Sequence, residues 1–117
     1  MFRIGFLIPV KTETLDINSH IYKLLNNFSN NINKNYIYNI YIGFNNNDKC
    51  LNQTDILNKF NNDYLKINII EFDKTIEPGY VTKMWNRLFE ISYNENNDYF
   101  YQLGDDIVFD NYDFLDE

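Results

Sequence analysis

The stretch "DYFYQLGDD", Asp98 to Asp106, joins an apolar run to a pair of adjacent acids. Tyr99 to Leu103 is an aromatic and apolar run that predicts a buried strand. The run ends in Gly104 and two adjacent carboxylates, Asp105 and Asp106. A strand end of this kind is either an acidic turn or a site for a hard divalent cation, since Mg²⁺ and Mn²⁺ take oxygen ligands. The rest of the chain decides between these two interpretations.

Earlier in the chain, three further runs predict strands: Arg3 to Val10, Tyr36 to Phe44 and Tyr64 to Phe72. Helical apolar stripes separate them. The first extends from Ile17 to Ile32, with Thr14 or Asp16 as its expected cap, and a weaker one covers Thr54 to Asn61. The third begins at Val81, turns Met84, Trp85, Leu88 and Ile91 or Ser92 inward, and ends at the polar tract "YNENND".

The resulting β-α-β-α-β-α-β order predicts one α/β, Rossmann-like domain over residues 1–117, with a mostly parallel sheet and helices on both faces. In open sheets of this kind, ligands bind outside the carboxyl ends of the strands, at a topological switch point. The expected carboxyl ends carry most of the candidate site residues of the chain. They are Pro9-Val10-Lys11, the loop that holds Asp48, Asp73-Lys74 and Gly104-Asp105-Asp106.

Composition excludes several classes of function. A net charge of -7 argues against a nucleic-acid surface, which needs a basic face. The single cysteine, Cys50, allows no intrachain disulfide, and no apolar run approaches the ~20 residues of a membrane span, so a cytoplasmic protein is expected. The richness in Asn, Ile, Lys, Tyr and Phe is typical of AT-rich genomes, such as those of protists or large DNA viruses.

Residues 79–109, "GYVTKMWNRLFEISYNENNDYFYQLGDDIVF", resemble the donor-binding segment of GT-A glycosyltransferases, in which a strand enters an acidic metal motif usually written Asp-x-Asp. The ends of the first two strands, "LIPVK" and "IYIGFNNNDK", are similar to the nucleotide-contacting strand ends of that fold. The resemblance covers nearly the whole chain but only the N-terminal half of a typical member. It therefore implies a truncated or half GT-A domain.

The resemblance implies a set of site residues. Asp106 would be the last Asp of the motif and the direct ligand of Mn²⁺ or Mg²⁺, and Asp105 would contact the ribose, the sugar or, through water, the metal. These two acids are the implied catalytic pair. Gly104 stands where many members have the first acid, and Asn45 where relatives often have another. The other implied contacts with the nucleotide come from Pro9, Val10, Lys11, Asp48, Lys83, Asn86 and Gly104.

The implied function is a metal-dependent glycosyltransferase, or its donor-binding domain, which transfers a sugar from a nucleoside diphosphate sugar to an acceptor hydroxyl, with a UDP-sugar as the expected donor. The acceptor half of such an enzyme would follow Glu117. An alternative is a non-catalytic nucleotide-sugar-binding or assembly module that needs a partner chain, for example as a homodimer through an unfinished sheet edge. A receiver-like domain with an acidic Mg²⁺ pocket is disfavoured, because "LIPVKTE" has no acid directly after the first strand.

Each site residue also has a structural explanation. Asp105 and Asp106 could form a plain acidic turn, and Asp48 could lie in an ordinary loop. Lys83 and Asn86 could belong to a solvated helix face. The only histidine, His20, is expected at the surface, and Cys50 has no partner that would make it a nucleophile.

Overall fold

The computed structural model describes residues 2–10, 15–16, 18–45, 54–72 and 81–104, which form a four-stranded, all-parallel sheet with helices. The predicted α/β class and the predicted order of elements are confirmed. In chain order the elements are β1 (Phe2–Pro9), α1 (His20–Asn30), β2 (Tyr36–Asn45), α2 (Asp55–Asn58), β3 (Leu65–Phe72), α3 (Val81–Asn94) and β4 (Tyr99–Gln102).

The first two helices differ from their predicted extents. Helix α1 begins only at His20, with Ser19 at the N-cap position, so the expected cap at Asp16 is wrong. The Asp16 carboxylate instead accepts a hydrogen bond from the backbone N–H of Asn18, 2.8 Å away, and so closes a local turn before the helix. Helix α2 has four residues, fewer than expected, and buries only Leu57. Thr14 and Ile17 lie outside the described residues.

The strands lie side by side in the order β3-β2-β1-β4. The chain moves outward from β1 through β2 to β3, and α3 then carries it back across the sheet so that β4 pairs with the other side of β1. The direction of winding therefore reverses between β1 and β4. That reversal is the topological switch point, at which open parallel sheets bind their ligands.

Helix α1 covers one face of the sheet and forms the larger part of the core. The alternate residues Ile4, Phe6 and Ile8 of β1 point to this face and are buried against α1. The ring of Phe6 lies 4.8 Å from that of Phe28 and 5.4 Å from that of Tyr101, measured between centroids. Burying aromatic side chains of this size is the main stabilising contribution of this face.

Helix α3 covers the opposite face with a smaller apolar cluster. Leu7 of β1 and Tyr41 of β2 are buried there against Met84 and Leu88 of the helix. The helix ends at Asn94, and Asn96 follows with a φ of 63°, the left-handed conformation that asparagine tolerates better than most residues. The predicted arrangement of helices on both faces is thus confirmed. None of the helices in the described part of the chain is long and apolar enough to cross a membrane.

Candidate functional site

The candidate site lies at the carboxyl ends of β1 and β4, on the two sides of the switch point. Leu7 of β1 is in register with Gln102 of β4, and the backbone N–H of Leu103 donates to the Leu7 carbonyl oxygen at 3.0 Å. Two residues further along each strand come Pro9 and Gly104. The tertiary structure therefore brings together two chain segments that the sequence analysis had selected separately.

Pro9 limits how far β1 and β4 can pair. Backbone groups of alternate residues point to the same side of a strand, so Pro9, like Leu7, turns its nitrogen toward β4. Val10 points to the other side, where its N–H donates to the Gly43 carbonyl oxygen at 2.9 Å. Because proline has no N–H, the next hydrogen bond of the β1–β4 ladder cannot form. The β1–β4 ladder therefore loses one hydrogen bond at this point, next to the edge at which a ligand would bind.

Pro9 and Val10 are both buried. The Val10 side chain is 1% exposed and packs in the α1-side core with Leu15 and Leu103. A ligand at this edge would therefore contact the backbone of these residues, and the Val10 side chain supports the edge from beneath. Gly104 is partly exposed on the other side of the switch point.

Lys83 and Asn86 lie in the first half of α3, and both are exposed. Since α3 connects two parallel strands, it runs against the strand direction and its amino end lies toward the carboxyl edge of the sheet. The positive end of its dipole lies there too. Lys83 and Asn86 are thus on the correct half of the helix to reach a ligand at the edge.

A hydrogen bond from the Trp85 side chain connects α3 to β1 at the switch point. Its indole N–H donates to the Leu7 carbonyl oxygen at 3.2 Å, the same oxygen that accepts from Leu103. The side chain is partly buried and packs against the cluster that contains Met84 and Leu88, as the apolar stripe predicted. The only tryptophan of the chain is therefore a structural contact and a natural fluorescent reporter beside the candidate site.

Four of the expected site residues lie outside the described residues: Lys11, Asp48, Asp105 and Asp106. Their roles stay predictions. Within the described ranges, no three His, Cys, Asp or Glu side chains come together in a group that could hold a metal ion. His20 is exposed, as expected.

A polar network that the sequence pattern does not predict lies on the α3 side of the sheet. Asn97 donates from its amide nitrogen to the hydroxyl oxygens of Tyr41 and Ser92, at 2.9 and 3.0 Å, and its amide oxygen accepts from Asn39 at 2.6 Å. Tyr41 and Ser92 are fully buried. Burial raises the pKa of the Tyr41 phenol, because the phenolate would lose its solvation.

This network fixes the start of β4. Asn97 lies in the short connection between α3 and β4, so its hydrogen bonds attach that connection to both β2 and the helix. The network lies away from the carboxyl edge, and every group in it is satisfied, so its role is structural. Because asparagine is abundant throughout the sequence, Asn39 and Asn97 do not stand out as positions with a structural role.

The candidate site thus lies at the carboxyl edge of the sheet, at the switch point between β1 and β4. The backbone of these two strands and polar side chains of α3 are the groups available there. Neither its shape nor its residues assign it to a family by themselves. Comparisons of the chain with protein-family models, with curated proteins and with solved structures found no match.

Proposed function

We propose that this chain is the donor-binding domain of a metal-dependent, GT-A-type glycosyltransferase, which holds a nucleoside diphosphate sugar at the carboxyl edge of its sheet. The observation that carries the proposal is the strand order β3-β2-β1-β4, which puts the switch point between β1 and β4. The acidic pair Asp105-Asp106 follows directly on Gly104 at one side of that point. Lys11 follows Val10 at the other.

Each group has a distinct role in this proposal. The backbone at Pro9 and Val10 and the side chain of Lys11 bind the nucleoside and its phosphates from the β1 side. Asp106 holds a divalent cation, and Asp105 contacts the ribose or the sugar. When bound, such a cation would supply the positive charge that offsets the negative charge of the diphosphate as it leaves. Lys83 and Asn86 of α3 contact the same diphosphate from above the sheet.

The reaction of a complete enzyme would be glycosyl transfer. The oxygen of an acceptor hydroxyl forms a bond to the anomeric carbon of the sugar, and the bond from that carbon to the β-phosphate oxygen breaks. The acceptor's proton goes to a base, and the nucleoside diphosphate leaves with the bonding electron pair. The residues of this chain would bind and orient the donor, whereas the acceptor site of such enzymes lies in the half that follows the donor-binding half.

The direct test is calorimetric titration of the chain with UDP and with several UDP-sugars, in the presence of Mn²⁺ and in the presence of EDTA. We expect binding that needs the metal and that Asp106→Asn abolishes. Asp113→Asn is the matched control, because it removes the same charge from a carboxylate farther along the chain and should leave binding unchanged. Trp85 fluorescence gives an independent measure of the same titration.

The outcomes separate the candidate functions. Unchanged metal-dependent binding in Asp106→Asn would remove the assignment of the metal site. Absence of any binding by the wild-type chain would refute donor binding. It would favour the second candidate, an assembly module that works through a partner chain. The observation that favours this second candidate is the group of exposed aromatic residues on β4 and beside it.

A further inference from the structure

The exposed apolar surface of the described residues is concentrated at one edge of the sheet. The large hydrophobic side chains exposed there are Phe2, Phe89, Tyr93 and Tyr99, at 53, 41, 64 and 49%. On the α3 side, the rings of Phe89 and Tyr93 lie 4.8 and 6.5 Å from that of Phe100 of β4. On the α1 side, the ring of Phe2 lies 5.7 Å from that of Tyr99. Every one of them is therefore on β4 or directly beside it.

Strand β4 is also an edge strand without the usual protection. It is hydrogen-bonded to β1 on one side, and among the described residues nothing pairs with its other side. Natural proteins usually blunt such edges with charged residues, proline or bulges. The opposite edge strand, β3, follows this rule with Lys66 and Glu71, whereas "YFYQ" of β4 has no charge and no proline. Of the two edges of the described sheet, the β4 edge is therefore the one open to another strand.

We propose that the β4 edge is a dimer interface, at which a second copy of this chain adds its own β4 antiparallel to the first and extends the sheet to eight strands. The lack of charge on β4 favours a second copy of this chain as the partner. The chain has a net charge of -7, so two copies repel one another in general, but the four residues of β4 carry no charge and add nothing to this repulsion. An interface with twofold symmetry requires a surface that complements itself, and aromatic side chains meet this requirement.

The register of the proposed pairing follows from the alternation of the strand. Leu103 directs its N–H to β1, so the odd residues of β4 point their backbone groups inward and Phe100 and Gln102 point theirs to the open edge. A twofold axis perpendicular to the sheet at Phe100 gives a hydrogen-bonded pair between the two Phe100 residues. It also sets Tyr99 opposite Tyr101 of the second copy. Aromatic residues then meet on both faces of the sheet.

The first experiment measures association and locates it. Sedimentation equilibrium of the full chain should give a mass that rises with concentration from one to twice the 14.2 kDa chain mass. Amide hydrogen exchange by NMR should show slow exchange for Phe100 and Gln102 in the dimer and fast exchange after dilution to the monomer. This pair of amides is diagnostic, because their N–H groups form no hydrogen bond within the described sheet and would gain one only through the β4 edge.

A charge at the aromatic cluster should break the dimer. Tyr93→Lys places a cation at an exposed ring position, where the fold tolerates it, and should raise the dissociation constant about tenfold or more. Asn30→Lys is the control, since it adds the same charge at an exposed position on α1 and should not weaken association. In a Cys50→Ser background, Phe100→Cys should be joined between copies by a short bismaleimide far faster than Asn30→Cys.

Three results would overturn the proposal. One is a chain that stays monomeric at all accessible concentrations. Another is a dimer in which the Phe100 and Gln102 amides still exchange rapidly, because a different surface then forms the contact. The third is slow exchange of these two amides in the monomer, because residues of the same chain would then cover the edge. None of these results depends on whether the chain binds a nucleotide sugar.

Discussion

Replacing Gly5 with alanine should damage the fold more than any other small change in the centre of the sheet. A Cβ atom at Gly5 would lie 2.3 Å from Ser92 Oγ, 3.2 Å from a Phe100 ring carbon and 3.4 Å from Asn97 Cγ. The first distance is far below a normal contact. Since Ser92 is fully buried and its hydroxyl is held by Asn97 at 3.0 Å, it cannot move without breaking the polar network.

The cost has two parts. Overpacking in a well-packed core destabilises by about 1–3 kcal/mol. Loss of the hydrogen bond between Ser92 and Asn97 adds about 1 kcal/mol. We therefore expect Gly5→Ala to lower the free energy of unfolding by about 2–4 kcal/mol. For a chain of this length, the average unfolding entropy converts this into a fall in Tm of about 8–16 °C. Urea denaturation and calorimetry both measure it.

A double-mutant cycle tests the cause. Ser92→Ala removes the clashing oxygen, so the loss caused by Gly5→Ala should be smaller in the Ser92→Ala background by about 1 kcal/mol or more. Gly43→Ala is the matched control, because its Cβ would lie 2.5 Å from the Phe72 ring and Ser92→Ala should not rescue it. A Gly5→Ala variant as stable as wild type, or effects of Gly5→Ala and Ser92→Ala that simply add, would contradict a clash between the new Cβ atom and Ser92.

Three further predictions concern the core and the switch point. Trp85→Phe removes the hydrogen bond to the Leu7 carbonyl and should cost about 1 kcal/mol of unfolding free energy in urea titrations. Tyr41 has a raised pKa in the folded state, so the stability it contributes is present below the unfolded value of 10.0 and is lost as pH rises through the folded value. Tyr41→Phe should therefore lose less stability than wild type as the pH rises above about 10. Phe28→Ala should cost about 3–5 kcal/mol because the ring is fully buried, whereas the same change at the 41%-exposed Phe89 should cost less than half as much.

Much of the secondary structure could be predicted from local patterns alone. The four apolar runs are long enough and rich enough in β-branched and aromatic residues that no other element fits them. The stripe of α3 and the polar tract after it predicted a helix that the structure has from Val81 to Asn94. Local hydrogen bonding could not be predicted in the same way. Aspartate is a common helix cap, but the Asp16 carboxylate accepts a hydrogen bond from the backbone N–H of Asn18 instead.

The candidate site could be predicted only in outline. Alternating strands and helices imply parallel strands, and hence one edge that gathers Pro9, Val10 and Gly104. Which of these segments are neighbours does not follow from the pattern, because a crossover helix can set the next strand on either side of the sheet. The direct pairing of β1 with β4, and the consequence that Pro9 interrupts their ladder, belong to the tertiary structure.

The α/β class, the parallel direction of the strands and the apolar face of α3 therefore follow from the sequence. These features follow from periodicity and chain direction, which are local properties. Only the tertiary structure shows the strand order, the hydrogen bonds of Asn97 with Tyr41 and Ser92, and the gathering of exposed aromatic residues at β4. Each of these features depends on contacts between residues far apart in the chain. Such contacts cannot be predicted from a local pattern, because the lateral packing of helices and strands leaves no periodic signal in the sequence.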